Sequence, residues 1–514
     1  MPSVKNRPLC AFLLWGSALL ILIACRSGET FAPSPTVTPT ATSTPTLIPM
    51  PAASATLDPI LSPTPASTAP ATEADVIIDF EAVVGLSPTG YGTNGWWNDE
   101  DAELWRARYA ELGPQVVRLP ALQMILEPLN DNDDPGAINW AGFRFGDPFP
   151  LPIGGEGRRV TYRLWFETLR DLDITLLLHT PYLSGWLSAN GNRDPFSSFP
   201  PTDVAEYGEF VRALLTYLVD EVGYPPQRII LEPVNEADLR CGADPAVPCF
   251  WQDWEMDDLF AVVRTAHEQA AAVDPAIRIA GLATCCDTNL LPRFMVEYKG
   301  DEYLDVITYH RYGRGFDFGS AIARGVELQA YGKPVYLDEF GSTKYWSNGL
   351  EGALWHSAVM PQIWAAGINP VQFSISEWPG MHQGYNQLGL FADWTGDWAR
   401  KPAYWVYVNF YAHLNGAELV RATSSPDLFV LAGRHLETET LAVWLTNVTL
   451  ARKEKLAFQI DHWPTNHAIL TAYDNLSGPQ SIDTISVAVK GGQLLFDYAV
   501  PEHSSFSLVL QAIP

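Results

Sequence analysis

Two short motifs, Asn235-Glu236 and Asp338-Glu339, each close a run of β-branched and aliphatic residues, Arg228 to Val234 and Pro334 to Glu339. A carboxylate just past a buried strand stands at the rim of whatever the strand lines. Two glutamates facing one another across a cleft can divide acid/base work on a glycosidic bond. One gives a proton to the leaving oxygen, and the other attacks or shields the developing oxocarbenium-like carbon. Asp338 and Glu339 are adjacent, and neighbouring residues of a strand face opposite ways, so the sequence predicts that only Glu339 serves. An arginine nearby would favour its charged form, while a less compensated Glu236 would hold a proton near neutrality.

Further polar residues end other apolar runs. Arg118 follows Val116-Val117, His179 closes Ile174 to Leu178, and Tyr309, His310 and Tyr312 end the run from Leu304. Ser376, Glu377 and Trp378 follow Pro370 to Ile375. Each has a bland alternative: Arg118 as a structural ion-pair partner, His179 as a packed loop histidine, Glu377 as support behind the site. Glu232, inside its run, reads as buried and paired. Trp378, and less clearly Trp96 and Trp186, could offer flat apolar faces to sugar rings. No His-x-His pair and no glycine-rich phosphate loop stands at these ends, so neither a metal nor a cofactor is expected.

These residues share an address only if the runs are strands of one barrel. Between them lie amphipathic helical stretches, such as the stripe Val204, Tyr207, Val211, Leu214, Leu215 and Leu218. Beginning with Val84 to Thr93, eight such strand–helix units fill residues 75–415, the number and size of a (β/α)8 TIM barrel, an α/β fold whose chemistry sits at the C-terminal ends of its strands. Beyond Asn415-Gly416, residues 416–514 read as short strands between turns, a small antiparallel β-sandwich, to which Asp75 to Glu81 could add an edge strand. The insertion Gln123 to Gly157 and the loop Asp238 to Trp254 have no readable pattern and would shape the cleft.

Ile230-Leu231-Glu232-Pro233-Val234-Asn235-Glu236 and Pro334-Val335-Tyr336-Leu337-Asp338-Glu339-Phe340-Gly341 resemble the acid/base and nucleophile strands of glycoside hydrolase clan A. Val117-Arg118-Leu119, Tyr309-His310-Arg311-Tyr312 and Trp378 add to the likeness, which runs from Val84 to about Leu414, with an appended sandwich as in families 30, 39 and 51; family 5 is similar in its barrel. Ala237 stands where many clan members have proline. The resemblance implies a retaining O-glycosidase without metal or cofactor. In it Glu236 is the general acid/base, Glu339 the nucleophile, and Asn235 the partner of the sugar 2-hydroxyl. Arg118 and Tyr312 keep the nucleophile ionised, and the two carboxyl groups should lie about 5–5.5 Å apart. A transglycosylase would use the same residues. A carbohydrate-binding surface lipoprotein that had lost either glutamate is the rival from another class, and both glutamates are present.

The rest of the chain bears on where it works. The 514 residues carry 32 Lys and Arg against 59 Asp and Glu, a net charge of −27 that argues against nucleic-acid partners. Residues 1–25 read as a lipoprotein signal. Lys5 and Arg7 precede the apolar Leu9 to Ala24, and Leu22-Ile23-Ala24-Cys25 resembles a lipobox whose Cys25 would carry lipid. Residues 26–74, rich in Pro, Thr and Ser, form a disordered linker or stalk. Export to the cell envelope makes disulfides among Cys241, Cys249, Cys285 and Cys286 plausible, in any of three pairings.

Overall fold

The computed structural model describes residues 74–86, 90–95, 98–150, 158–180, 182–189, 199–239, 254–345, 349–377, 387–393, 396–425, 428–448 and 455–513. Cys25, the 26–73 linker, Trp96, Trp378, Cys241 and Cys249 lie outside them.

Eight parallel strands close into a barrel in the order of the chain: Gly92–Asn94, Val116–Pro120, Thr175–His179, Ile229–Glu232, Arg278–Thr284, Val306–Gly313, Val335–Ser342 and Asn369–Gln372. Helices between them bury apolar faces against the strands, which explains why these strands are apolar on both faces. Asp203 caps the helix Val204–Thr216 by accepting from the Ala205 N–H at 2.8 Å. Gly113, in the left-handed conformation, ends Ala102–Leu112.

Inside the barrel one apolar layer takes a side chain from seven strands: Val116, Leu177, Ile230, Ala280, Val306, Tyr336 and Val371. The eighth position is Gly92, where a Cβ would meet the Val116 carbonyl at 2.6 Å, so the layer closes without a side chain there. Side chains along a strand return to the same face every second residue. Two positions on from this floor come Asn94, Arg118, His179, Glu232, Thr308 and Asp338, all buried. The same alternation that makes an apolar floor therefore sets a polar ring above it.

The second domain is the sheet-rich, mostly antiparallel unit expected, but its first strand is placed differently. Nine strands close on themselves, and Val76–Leu86 sits between Glu418–Ser424, to which it is antiparallel, and Leu456–Asp461, to which it is parallel. It is not an edge strand, and the barrel does not begin at residue 75 or at Val84. Val76, Ile78 and Phe80 are buried in the second core while Val84 is 62% exposed. Their alternation belongs to a sheet with one wet face, and the first barrel strand is only Gly92–Asn94. The domains meet where Ser357, on the barrel helix Leu350–Ala365, bonds Thr446 at 2.8 Å and receives the Trp444 indole N–H on its carbonyl at 2.9 Å. No helix among the described residues is long and apolar enough to cross a membrane.

Candidate active site

Arg118 organises the polar ring. Fully buried, it donates from Nε and Nη2 to Glu232 at 2.9 and 2.6 Å, and from Nη1 to Glu339 at 2.6 Å and Asn94 at 3.2 Å. Its Nε also lies 3.2 Å from Asp338, and Nη2 donates to Asn235. One guanidinium thus faces three carboxyls, so its structural and functional readings merge. Such a network is stable only while every member remains, because each charge left alone indoors would lack solvation.

Asp338 and Glu339 both face this arginine. The strand expectation that only one of them could do so fails because the pairing register with the sixth strand shifts between Leu337 and Glu339. That bulge breaks the two-residue alternation and re-aims successive side chains to one side. Asp338 sits below, fully buried, 3.5 Å from His310 Nε2. Glu339 stands above, its other oxygen accepting from the Tyr312 hydroxyl at 2.9 Å.

Glu236 arrives from the fourth strand with φ +49°, a left-handed conformation that costs a non-glycine residue roughly 1 kcal/mol. Its N–H donates to the Ala283 carbonyl at 3.2 Å. Two residues on, the Asp238 carboxylate accepts the successive N–H groups of Cys285, Cys286 and Asp287 at 3.1, 2.7 and 2.7 Å. The strained turn is held by the end of strand five. The sulfurs of Cys285 and Cys286 meet in a contact compatible with a vicinal disulfide.

His310 joins the two glutamates. Nδ1 is 2.6 Å from Glu236 and 3.6 Å from Glu339, and one oxygen of each glutamate and one His310 nitrogen lie within 4.8 Å of one another. Burial pushes Glu236 above the usual carboxylate range, although His310 pulls it down. Burial alone would lower His310, but the Glu339, Asp338 and Glu236 carboxylates overcome it and hold the imidazole well above its ordinary value. The Glu236–His310 pair therefore keeps a proton at the cleft. Deeper in, burial pushes Glu232 up despite Arg118. The three residues around His310 could reach a metal ion. Each oxygen of Glu339 already accepts one hydrogen bond, from Arg118 and from Tyr312.

The other expected residues divide. His179 is on the ring, kept neutral chiefly by burial, and no protein partner reaches its Nδ1. Trp186 is half-buried, its indole N–H 3.3 Å from the Glu127 carbonyl, and contributes to the wall there. Glu377 is held by Lys401 at 2.6 Å. Sequence reasoning missed Asn94, whose Nδ2 donates to the Asp338 carbonyl at 3.0 Å. The rule used for the other strands, a polar residue where an apolar run ends, finds it once strand one is placed at Gly92–Asn94.

No family model matches the chain, and no curated protein matches it in sequence. Solved structures do match. A glucosidase from Croceicoccus marinus aligns with TM-score 0.61 at 14% identity, over 86% of this chain and 99% of its own. A GH30 endoxylanase from Clostridium papyrosolvens gives 0.58 at 15%, over 85% and 100%, and a GH39 enzyme from Xanthomonas axonopodis pv. citri 0.59 at 14%, over 85% and 97%. The chain shares their fold. The clan A resemblance read from the sequence is thus matched by architecture, barrel and appended sheet domain alike.

Proposed function

We propose that this protein is a retaining O-glycoside hydrolase with Glu339 as nucleophile and Glu236 as acid/base. The observation that carries the reading is the approach of the two carboxyls to within 4.8 Å, oxygen to oxygen, at the mouth of the barrel. That separation suits direct attack by one carboxylate and leaves little room for the water an inverting pair must hold. Glu339 attacks the anomeric carbon as the glycosidic C–O bond breaks, and Glu236 passes its proton to the departing oxygen. Glu236, now a carboxylate, takes a proton from water as that water's oxygen displaces Glu339 and frees the sugar. Arg118 and Tyr312 fix the nucleophile's orientation; burial keeps the proton on Glu236, and His310, 2.6 Å away, tempers that upward push. Asn235 and His179 line the approach as partners for sugar hydroxyls.

Xylanases, a xylosidase and a glucosidase share this fold, which makes β-xylosides and β-glucosides the first substrates to try. We place the enzyme outside the cytoplasm, tethered through lipid on Cys25, with residues 26–74 as the stalk that lets the barrel reach polymeric substrate. The test is turnover of aryl glycosides by wild type and by Glu339→Ala, with azide added to the variant. The reading expects wild-type turnover with retained configuration, and a dead variant that azide revives to give the inverted glycosyl azide. A variant that keeps the wild-type rate overturns it.

A further inference from the structure

Two carboxyls of the polar ring take no part in bond breaking, Glu232 on strand four and Asp338 on strand seven. Both are fully buried, and both converge on one atom of Arg118. Its Nε stands 2.9 Å from Glu232 Oε2 and 3.2 Å from Asp338 Oδ2. That nitrogen carries a single hydrogen, and it donates to Glu232. His310 Nε2 lies 3.5 Å from Asp338 Oδ1 and forms no hydrogen bond with it. Three oxygens, both of Asp338 and Oε1 of Glu232, are therefore out of solvent and without a hydrogen-bond partner. Arg118 from strand two and Thr308 and His310 from strand six face the pair.

Two carboxyls sharing one buried site do not both ionise; one keeps its proton. A proton on Glu232, given to Asp338, pairs two of the three orphaned oxygens with one hydrogen. The neighbours settle which end donates. Burial and the charge of Asp338 push Glu232 up against the pull of Arg118. Burial alone would raise Asp338 as well, but His310 and Arg118 bring it below its ordinary value. Glu232 is the donor and Asp338 the acceptor. That proton also balances the ring. Arg118 and His310 supply two positive charges, Asp338 and Glu339 two negative ones, while Glu232 and Glu236 stay neutral. When Glu339 becomes a glycosyl ester and Glu236 gives up its proton, the sum is unchanged. A charged Glu232 would leave one negative charge in excess throughout and would compete with Glu339 for the guanidinium.

We propose that Glu232 and Asp338 share one proton beneath the nucleophile, and that this hydrogen bond holds Arg118 to Glu339, making Glu232 a positioning residue. The consequence for Glu339 rests on the glycosidase reading; the shared proton does not. Infrared spectroscopy of the whole protein near neutral pH tests the proton directly, as a carboxylic-acid carbonyl stretch that moves in heavy water. Glu232→Gln should remove one such band, and Glu236→Gln should leave that band in place. Activity on an aryl glycoside gives the second readout. In Glu232→Gln the amide N–H donates to Asp338 and the amide oxygen accepts from Arg118, so kcat should fall by less than about fivefold. Glu232→Leu leaves Asp338 without a donor and should lose roughly 10- to 100-fold in kcat, the worth of one hydrogen bond to a buried charge, with KM little changed. Should Glu232→Leu fail to fold, the infrared band and Glu232→Gln still decide. A spectrum that loses no band in Glu232→Gln overturns the proposal, as does an equal loss of kcat in the Gln and Leu variants. A wild type inactive on every glycoside defeats the glycosidase reading, and the band then still decides whether the proton is shared.

Discussion

The domain gathers carboxyls, most of them buried, in two places and treats them differently. At the barrel mouth Glu232, Asp338, Glu339 and Glu236 surround two basic side chains, Arg118 and His310, both fully buried. Under the strand-two segment Glu127, Glu206 and Glu209 repel one another and Asp131, and Arg212 acts on Glu209. The first cluster is neutralised from within, so its geometry is complete before any ligand arrives, as a catalytic site requires. The second is compensated less, and burial raises Glu127, Glu206 and Glu209 toward their neutral forms.

The comparison breaks most severely at the residues proposed to react. Glu339→Ala should lower kcat by on the order of 10⁴-fold or more, in initial-rate assays on an aryl glycoside with a good leaving group. A variant of Glu209 should leave kcat within about twofold, since nothing it touches meets substrate.

Removing the central cation comes next. Arg118→Met leaves Glu232, Asp338 and Glu339 facing one another without their shared cation. Chemical denaturation should show a loss of about 3–5 kcal/mol, and activity should vanish in the fraction that folds.

His310 and Asp238 sharpen the account in opposite directions. His310 pulls Glu236 down and Asp238 pushes it up. In pH profiles of kcat/KM, the alkaline limb reports loss of the acid's proton. It should move to higher pH in His310→Gln and to lower pH in Asp238→Asn, each by up to about one unit. Movement of both variants in the same direction would contradict the assignment of Glu236.

The smallest effect is on stability against pH. Burial, with help from neighbouring charges, raises Glu127 to about 8 and Glu209 to about 7. A carboxyl raised in the folded state binds more protons there than in the unfolded chain. Its contribution is therefore full below the unfolded value, near 4.5, and is lost as pH rises through the folded value. Tm should decline between about pH 5 and pH 8.

Much of the barrel was legible because parallel strands buried on both faces are written as β-branched runs, and the polar residue ending each run marks the mouth. Arg118, Glu236, His310, Tyr312 and Glu339 follow from that rule, and the structure brings them into one network. The misses have physical reasons. Strand one is three residues long with a glycine where a side chain would crowd the floor, so the more strongly patterned Val76–Leu86 drew the boundary away from it. Asp338 was set aside by the pleat rule, which a bulge suspends without any mark in sequence. Glu206 and Glu209 lie off the apolar stripe of their helix, so its periodicity gives no sign of their burial. Their burial depends on a segment whose course carries no periodic signal.

The central claim is that Glu339 forms a bond to sugar. It is tested most directly by trapping that bond with an activated 2-deoxy-2-fluoro glycoside and mapping the adduct by peptide mass spectrometry. The account predicts one sugar per chain, attached to Glu339, forming in wild type and in slowed form in Glu236→Gln. A label on Asp338 or Glu236, or rapid turnover with inverted product and no label, would contradict it.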